Sequence, residues 1–75
     1  MHLKELFATV LEEPIEKITD QTSPRTLRKW DSLAHVNLIS SIEQHYQVRF
    51  SMPEITAIRS LAQAREMLCR KGVNA

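Results

Sequence analysis

Leu3, Leu6, Phe7, Val10 and Leu11 fall at offsets of three and four, the spacing that gathers side chains onto one face of an α-helix. Lys4, Glu5, Glu12 and Glu13 take the other face, which predicts an amphipathic helix over about 2–13 with a solvated back. The same period returns further along. At about 100° per residue, Leu38, Ile42, Tyr46, Ile39 and Val36 span one continuous arc of a second helix, about 32–47. Leu33 lies roughly 60° beyond the edge of that arc and is expected to be partly exposed. Asn37, Ser40, Ser41 and Gln44 form the opposite face.

Two shorter helices are announced by their first turns. Ser51 followed three residues later by Glu54 has capping-box spacing and predicts a third helix over 52–57, packing Ile55 and Ile58. Ser60 and Gln63 repeat the device and open a fourth, about 61–70, with Leu61, Ala64, Met67 and Leu68 as its inner stripe. Arg70 and Lys71 suit its negative end and Gly72 the position just past it, leaving 72–75 as a frayed tail. Val48-Arg49-Phe50 is a short extended link with Val48 and Phe50 turned inward. Between the first two helices lies a long connection. Pro14 ends the first pattern, because the residue before proline is steered out of helical geometry. Ile15, Ile18, Leu27 and Trp30 are the candidates to pin the loop across the helices, and Ser23-Pro24 can open a short helical turn. The fold class that results is all-α: a small antiparallel four-helix bundle with a long first loop and a short third helix, one domain over 1–75.

Seventy-five residues are near the size where one hydrophobic core only just suffices. Disulfides are the usual remedy in a secreted chain, yet Cys69 is the sole cysteine and no internal bridge can form. A charged, amphipathic stretch follows Met1, with no signal peptide, and no window approaches the 18 or so apolar residues of a membrane span. The expected location is therefore cytoplasmic. Ten Lys and Arg against nine Asp and Glu leave a net charge of +1, too balanced to argue for nucleic acid. A single glycine excludes a glycine-rich phosphate loop.

The chemistry concentrates in Lys29-Trp30-Asp31-Ser32-Leu33-Ala34-His35-Val36. Asp31 is a favoured N-cap, which puts the Ser32 hydroxyl at the first helical position, exposed at the positive end of the helix dipole. An anionic ester on Ser32 would gain about 0.3–1 kcal/mol there, less the repulsion of Asp31. A serine behind a capping aspartate is also ordinary helix-start chemistry. The remaining candidates are weaker. His2, His35 and His45 are far apart and have no zinc-ligand spacing. His35 stands one turn from Ser32, but nothing orients it as a base and no oxyanion hole is evident, so the chain is expected not to be an enzyme. His35 is expected at the surface and His45 in solvent. Cys69 has no CxxC partner, Trp30 suits a lid over the bundle or else a contact beside a group on Ser32, and Arg28 and Lys29 lie close enough in sequence to pair with an anion there, although plain surface placement also accounts for both.

Asp31-Ser32-Leu33, followed by Val36, Leu38, Ile39, Ile42, Glu43 and Tyr46, resembles the acyl carrier protein family over about residues 3–68. The resemblance implies that Ser32 carries a covalent 4′-phosphopantetheine arm, installed from coenzyme A by a phosphopantetheinyl transferase with magnesium. The arm's thiol would hold acyl or aminoacyl groups as thioesters. It implies partner contacts at Asp31, Leu33, Val36, Asn37 and Ser40. The partners implied are an acyl- or aminoacyl-loading ligase and a downstream transferase or synthase, with no nucleic acid, no membrane span and a monomeric chain. The likeness is to freestanding carriers of specialised-metabolite or cell-surface pathways more than to the acidic carrier of fatty-acid synthesis. A D-alanyl or peptidyl carrier is an alternative, since tryptophan before Asp-Ser is similar to D-alanyl carriers. An unmodified interaction domain of carrier-like fold is the alternative from another class. The sequence also departs from the family. Lys29 replaces a usual glycine, and Glu43 is the only carboxylate of the second helix after Asp31, so apolar and hydrogen-bonded docking should outweigh docking by charge.

Overall fold

The computed structural model describes residues 2–74, and these form four α-helices: α1 (Leu3–Leu11), α2 (Ser32–Tyr46), α3 (Met52–Ala57) and α4 (Leu61–Arg70). The inner faces of α1, α2 and α4 supply most of the core, with Leu3, Phe7, Leu11, Leu38, Ile42, Leu61 and Leu68 all shielded from solvent. Ile58, just beyond α3, and Ile18 and Trp30, from the long first loop, are buried among them. The bundle is therefore closed by irregular chain as much as by helix.

α1 ends at Leu11, two residues before the expected boundary. Glu12 already takes the left-handed conformation (φ 55°), and its N–H and that of Glu13 turn back onto the Ala8 carbonyl. This is a helix-terminating pattern that leaves Glu13 extended for Pro14. A 3₁₀ turn, Ile15–Lys17, follows, and Ile15 stays 38% exposed, so Ile18 and not Ile15 pins the loop. Farther on, Thr22 is the one buried polar side chain among the described residues, its Oγ1 accepting from the Thr19 N–H at 2.8 Å. The Asp20 carbonyl accepts from the Ala62 N–H, and the Asp20 carboxylate meets Arg65 at 2.8 Å, which ties the loop to α4. Ser23-Pro24 opens only a turn, closed by the Thr26 hydroxyl accepting from the Ser23 N–H.

The first turns of α3 and α4 explain why such short segments hold. Ser51 N–H donates to the Glu54 carboxylate at 2.8 Å while Ser51 Oγ accepts from Glu54 N–H at 3.4 Å, a reciprocal capping box. At α4, Ser60 Oγ accepts from Gln63 N–H, but the Gln63 side chain reaches one residue further back, to the Arg59 N–H at 2.7 Å. The start of the expected tail, Gly72 and Val73, is tied back to α4. Gly72 takes φ +82°, which lets the Val73 N–H reach the Leu68 carbonyl at 2.9 Å and the Val73 side chain pack on the core. Ala75, the last residue of that expected tail, lies outside the described residues, as does Met1.

Candidate functional site

The α2 N-terminus is set by Asp31. Its Oδ1 accepts from the Ala34 N–H at 2.9 Å, and its carbonyl accepts the first intrahelical bond, from His35 N–H at 2.8 Å. Asp31 itself is extended (φ −96°, ψ −172°), so helical geometry begins at Ser32. The Ser32 side chain is exposed on this first residue, beside amide groups that point outward for want of an earlier turn.

Behind the serine the structure shows an arrangement that local spacing did not reveal. Trp30 is 2% exposed and packs edge to face on Phe7 (5.5 Å between centroids), so it is a core residue and not a lid over the bundle. Its indole N–H donates to His35 Nδ1 at 2.9 Å, and His35 Nε2 lies 2.8 Å from the Ile55 carbonyl. An indole nitrogen can only donate, so Nδ1 must accept and Nε2 carries the proton toward Ile55. His35 is thus a half-buried strut joining the first loop, α2 and α3, which corrects its expected surface role.

A groove of about 400 Å³ opens at the same place. Pro24, Trp30, Asp31, Ser32, His35 and Val36 line it, with Thr56 of α3 and Arg59 just beyond that helix. Of the two basic residues expected near Ser32, Lys29 turns away. Its ammonium donates to the Glu12 carbonyl at 2.8 Å and pairs with Glu13 at 3.3 Å. Arg28 is exposed and does not line the groove.

The outer face of α2 is apolar near the serine and polar beyond it. Leu33 is 71% exposed and Val36 58%. Val36 was placed at the edge of the inward arc, and no element covers that edge. Asn37 and Ser40 are exposed on the same helix. Met52, at the start of α3, adds a further exposed apolar side chain at 72%. Glu43 faces inward enough to accept from the Phe50 N–H at 2.9 Å, which fixes the extended link after α2. Elsewhere, His45 is exposed with its ring edge-on to Tyr46, and Cys69 is free and exposed. Among the described residues no group of three or more His, Cys, Asp or Glu is arranged to hold a metal ion, and no helix is long and apolar enough to cross a membrane.

Residues 2–68 match the family defined by a phosphopantetheine attachment site. The chain belongs to the acyl carrier protein family. It is 33% identical over 69 residues to polyketide-8 synthase acyl carrier protein 2 of Streptomyces avermitilis, covering 92% of this chain and 79% of that one. The solution structure of holo acyl carrier protein from Geobacter metallireducens superposes with a TM-score of 0.81 at 30% identity, again over 92% of this chain and 79% of the other. This carrier uses covalently attached phosphopantetheine and is acted on by partner enzymes; it is not itself a catalyst.

The site fits such a group. A carrier needs a nucleophilic hydroxyl that a second enzyme can reach, on a backbone that does not yield when it is engaged. Ser32 is exposed, while the residues on either side of it are held by the Asp31 cap and the His35 strut.

Proposed function

We propose that Ser32 is the attachment point and that the chain, acting as one domain over 1–75, tethers acyl or aminoacyl groups for a specialised-metabolite or cell-surface pathway. The observation that carries this reading is the exposed hydroxyl on the first residue of α2, capped by Asp31 within the Asp31-Ser32-Leu33 motif of the family. In the transfer catalysed by a phosphopantetheinyl transferase with magnesium, Ser32 Oγ bonds to the pantetheine-side phosphorus of coenzyme A. The pyrophosphate P–O bond breaks, adenosine 3′,5′-bisphosphate departs, and the serine proton passes to the transferase. When bound, the arm supplies a thiol that carries cargo as a thioester on a long tether, which raises the cargo's effective concentration at each partner enzyme.

Support for specialised metabolism comes from the similarity to a carrier named for a polyketide synthase. The D-alanyl alternative drew on Trp30, and the burial of that ring against Phe7 gives it a packing role that does not depend on cargo. Loading ligase, transferase and synthase would approach over Asp31, Leu33, Val36, Asn37 and Ser40, with the carrier monomeric in the cytoplasm. Incubation with coenzyme A, magnesium and a broad-range phosphopantetheinyl transferase tests the attachment by intact mass. The expected result is a gain of one phosphopantetheine in the wild type and none in Ser32→Ala, with both proteins equally folded. Folded wild-type protein that gains nothing would instead be an unmodified interaction domain.

A further inference from the structure

The groove beside Ser32 has one arginine among its lining residues, and it forms no ion pair among the described residues. Arg59 lies in the link between α3 and α4. Its backbone N–H is held by Gln63 at 2.7 Å and its Nε donates to the Thr56 carbonyl at 3.3 Å, so main chain and guanidinium are each tied at one point. The four ion pairs among the described residues engage Lys29, Arg65, Arg70 and Lys71, and leave Arg59 out. With Nε engaged, the terminal nitrogens of the guanidinium keep their donors for another acceptor.

We propose that Arg59 is the counter-ion of the arm's phosphodiester, and that the base of the arm rests in this groove on the α3 side of Ser32. The inference builds on Ser32 as the attachment point. Its physical basis is a charge imbalance at the α2 N-terminus. A phosphodiester on Ser32 Oγ would place a second negative charge next to Asp31, whose carboxylate lines the same groove and is already committed to the Ala34 N–H. The helix dipole offers only about half a positive charge against the two. Lys29, the obvious cation by sequence, is engaged by Glu12 and Glu13 on the far side. Arg59 supplies the missing charge, with a planar donor set that suits phosphate oxygens. The exposed Val36 gives the arm's first, branched hydrocarbon segment an apolar surface to lie on. A volume of about 400 Å³ falls within the roughly 300–1,000 Å³ of small-molecule sites.

The test compares apo and holo protein, with holo status fixed by mass before any spectrum is taken. In 1H–15N spectra of the wild type, loading with the unacylated arm should shift the Arg59 Nε–H resonance and the backbone amides of 56–59. Arg59→Gln should load to the same mass, keep its melting temperature, and lose the shifts at residues 56–59. The 31P signal should also narrow as the arm is released. Arg59→Lys should keep part of the shift. Full loading with no change at Arg59 in the wild type would overturn the proposal, as would shifts at 56–59 that persist in Arg59→Gln. Absence of any mass gain would instead overturn the attachment at Ser32, so the two failures are separable.

Discussion

Asp31, His35 and Ser32 divide the work at the head of α2. Asp31 starts the helix by occupying one of the amide groups that has no partner in the first turn. Ser32 is left with a free side chain by the same geometry. His35, one turn on, holds the turn against its surroundings through Trp30 and Ile55. Removing the imidazole leaves an indole N–H and a backbone carbonyl without their partners in a half-buried place, a cost of about 1–3 kcal/mol for a group stranded in this way. In a chain of this size each kcal/mol lowers the melting temperature by roughly 4–8 °C. His35→Ala should therefore melt clearly below the wild type. It should also free the Trp30 ring, which a red shift in tryptophan emission would report. Arm transfer to Ser32 should slow with it, because the serine turn loses its brace. An unchanged emission maximum and melting temperature would mean the strut carries no load.

α3 shows how a six-residue helix is held when its own propagation is too short to sustain it. Its start is fixed by the Ser51 and Glu54 capping box, its Ile55 carbonyl is held by His35, and Ile58 anchors the far end in the core. Lys71, from beyond α4, pairs with the Glu54 carboxylate at 3.1 Å while its ammonium sits 5.4 Å from the centre of the Phe50 ring. The hydrogen bond from the Ser51 backbone, then that from Lys71, holds the Glu54 carboxyl below its ordinary value of 4.5. A lowered folded-state value means that the unfolded chain takes up the proton first as pH falls. The charged form's stabilising contribution is complete at neutral pH, shrinks below about pH 4.5, and is gone once pH passes the folded-state value. Glu54→Gln keeps a capping-box side chain but removes the charge. Its melting temperature should fall below the wild type's at pH 7, and the gap should close in acid. The Gln63 side chain reaches four back, to Arg59, but the caps at Asp31, Ser51 and Ser60 were legible in the sequence because each joins residues three apart. So were the amphipathic faces of α1 and α4, and with them the four-helix fold. What could not be read depends on how the helices meet. His35 joins partners 5 and 20 positions away, Lys29 turns to Glu13, Arg59 lines the same groove as Ser32, and Val73 folds back on Leu68. Spacing along one helix carries no information about those approaches, so Lys29 looked like the residue for an anion and Arg59 did not.

At the scale of the whole molecule, the apolar residues fall into two populations with different consequences. At about 0.05–0.15 kcal/mol per residue, a chain of 75 residues has only some 4–11 kcal/mol of stability. Its core cannot lose much. Ile58, fully buried, should cost about 2–5 kcal/mol as Ile58→Ala, a large share of that total. Leu33 and Val36 contribute little to the same balance, because they are 71% and 58% exposed and bury little surface on folding. A marginal domain gains nothing in stability by displaying such side chains beside its serine, and under the proposed function a docking partner enzyme is what would cover them. The outer face of α2 strengthens this argument. Asp31 is the one exposed carboxylate at this end of the helix, since Glu43 turns to the Phe50 N–H, so there is little negative charge to steer a basic partner. The double variant Leu33→Ala/Val36→Ala should melt within about 2 °C of the wild type, as surface changes usually do. Its kcat/KM in arm transfer should fall roughly tenfold or more, since truncating a buried interface anchor costs above about 1 kcal/mol. Raising the salt concentration should change the wild-type rate only modestly, because desolvated apolar contacts are not screened. A double variant transferred at the wild-type rate, or a wild-type rate that collapses with salt, would show that charge brings the partner in and that these two side chains are bystanders.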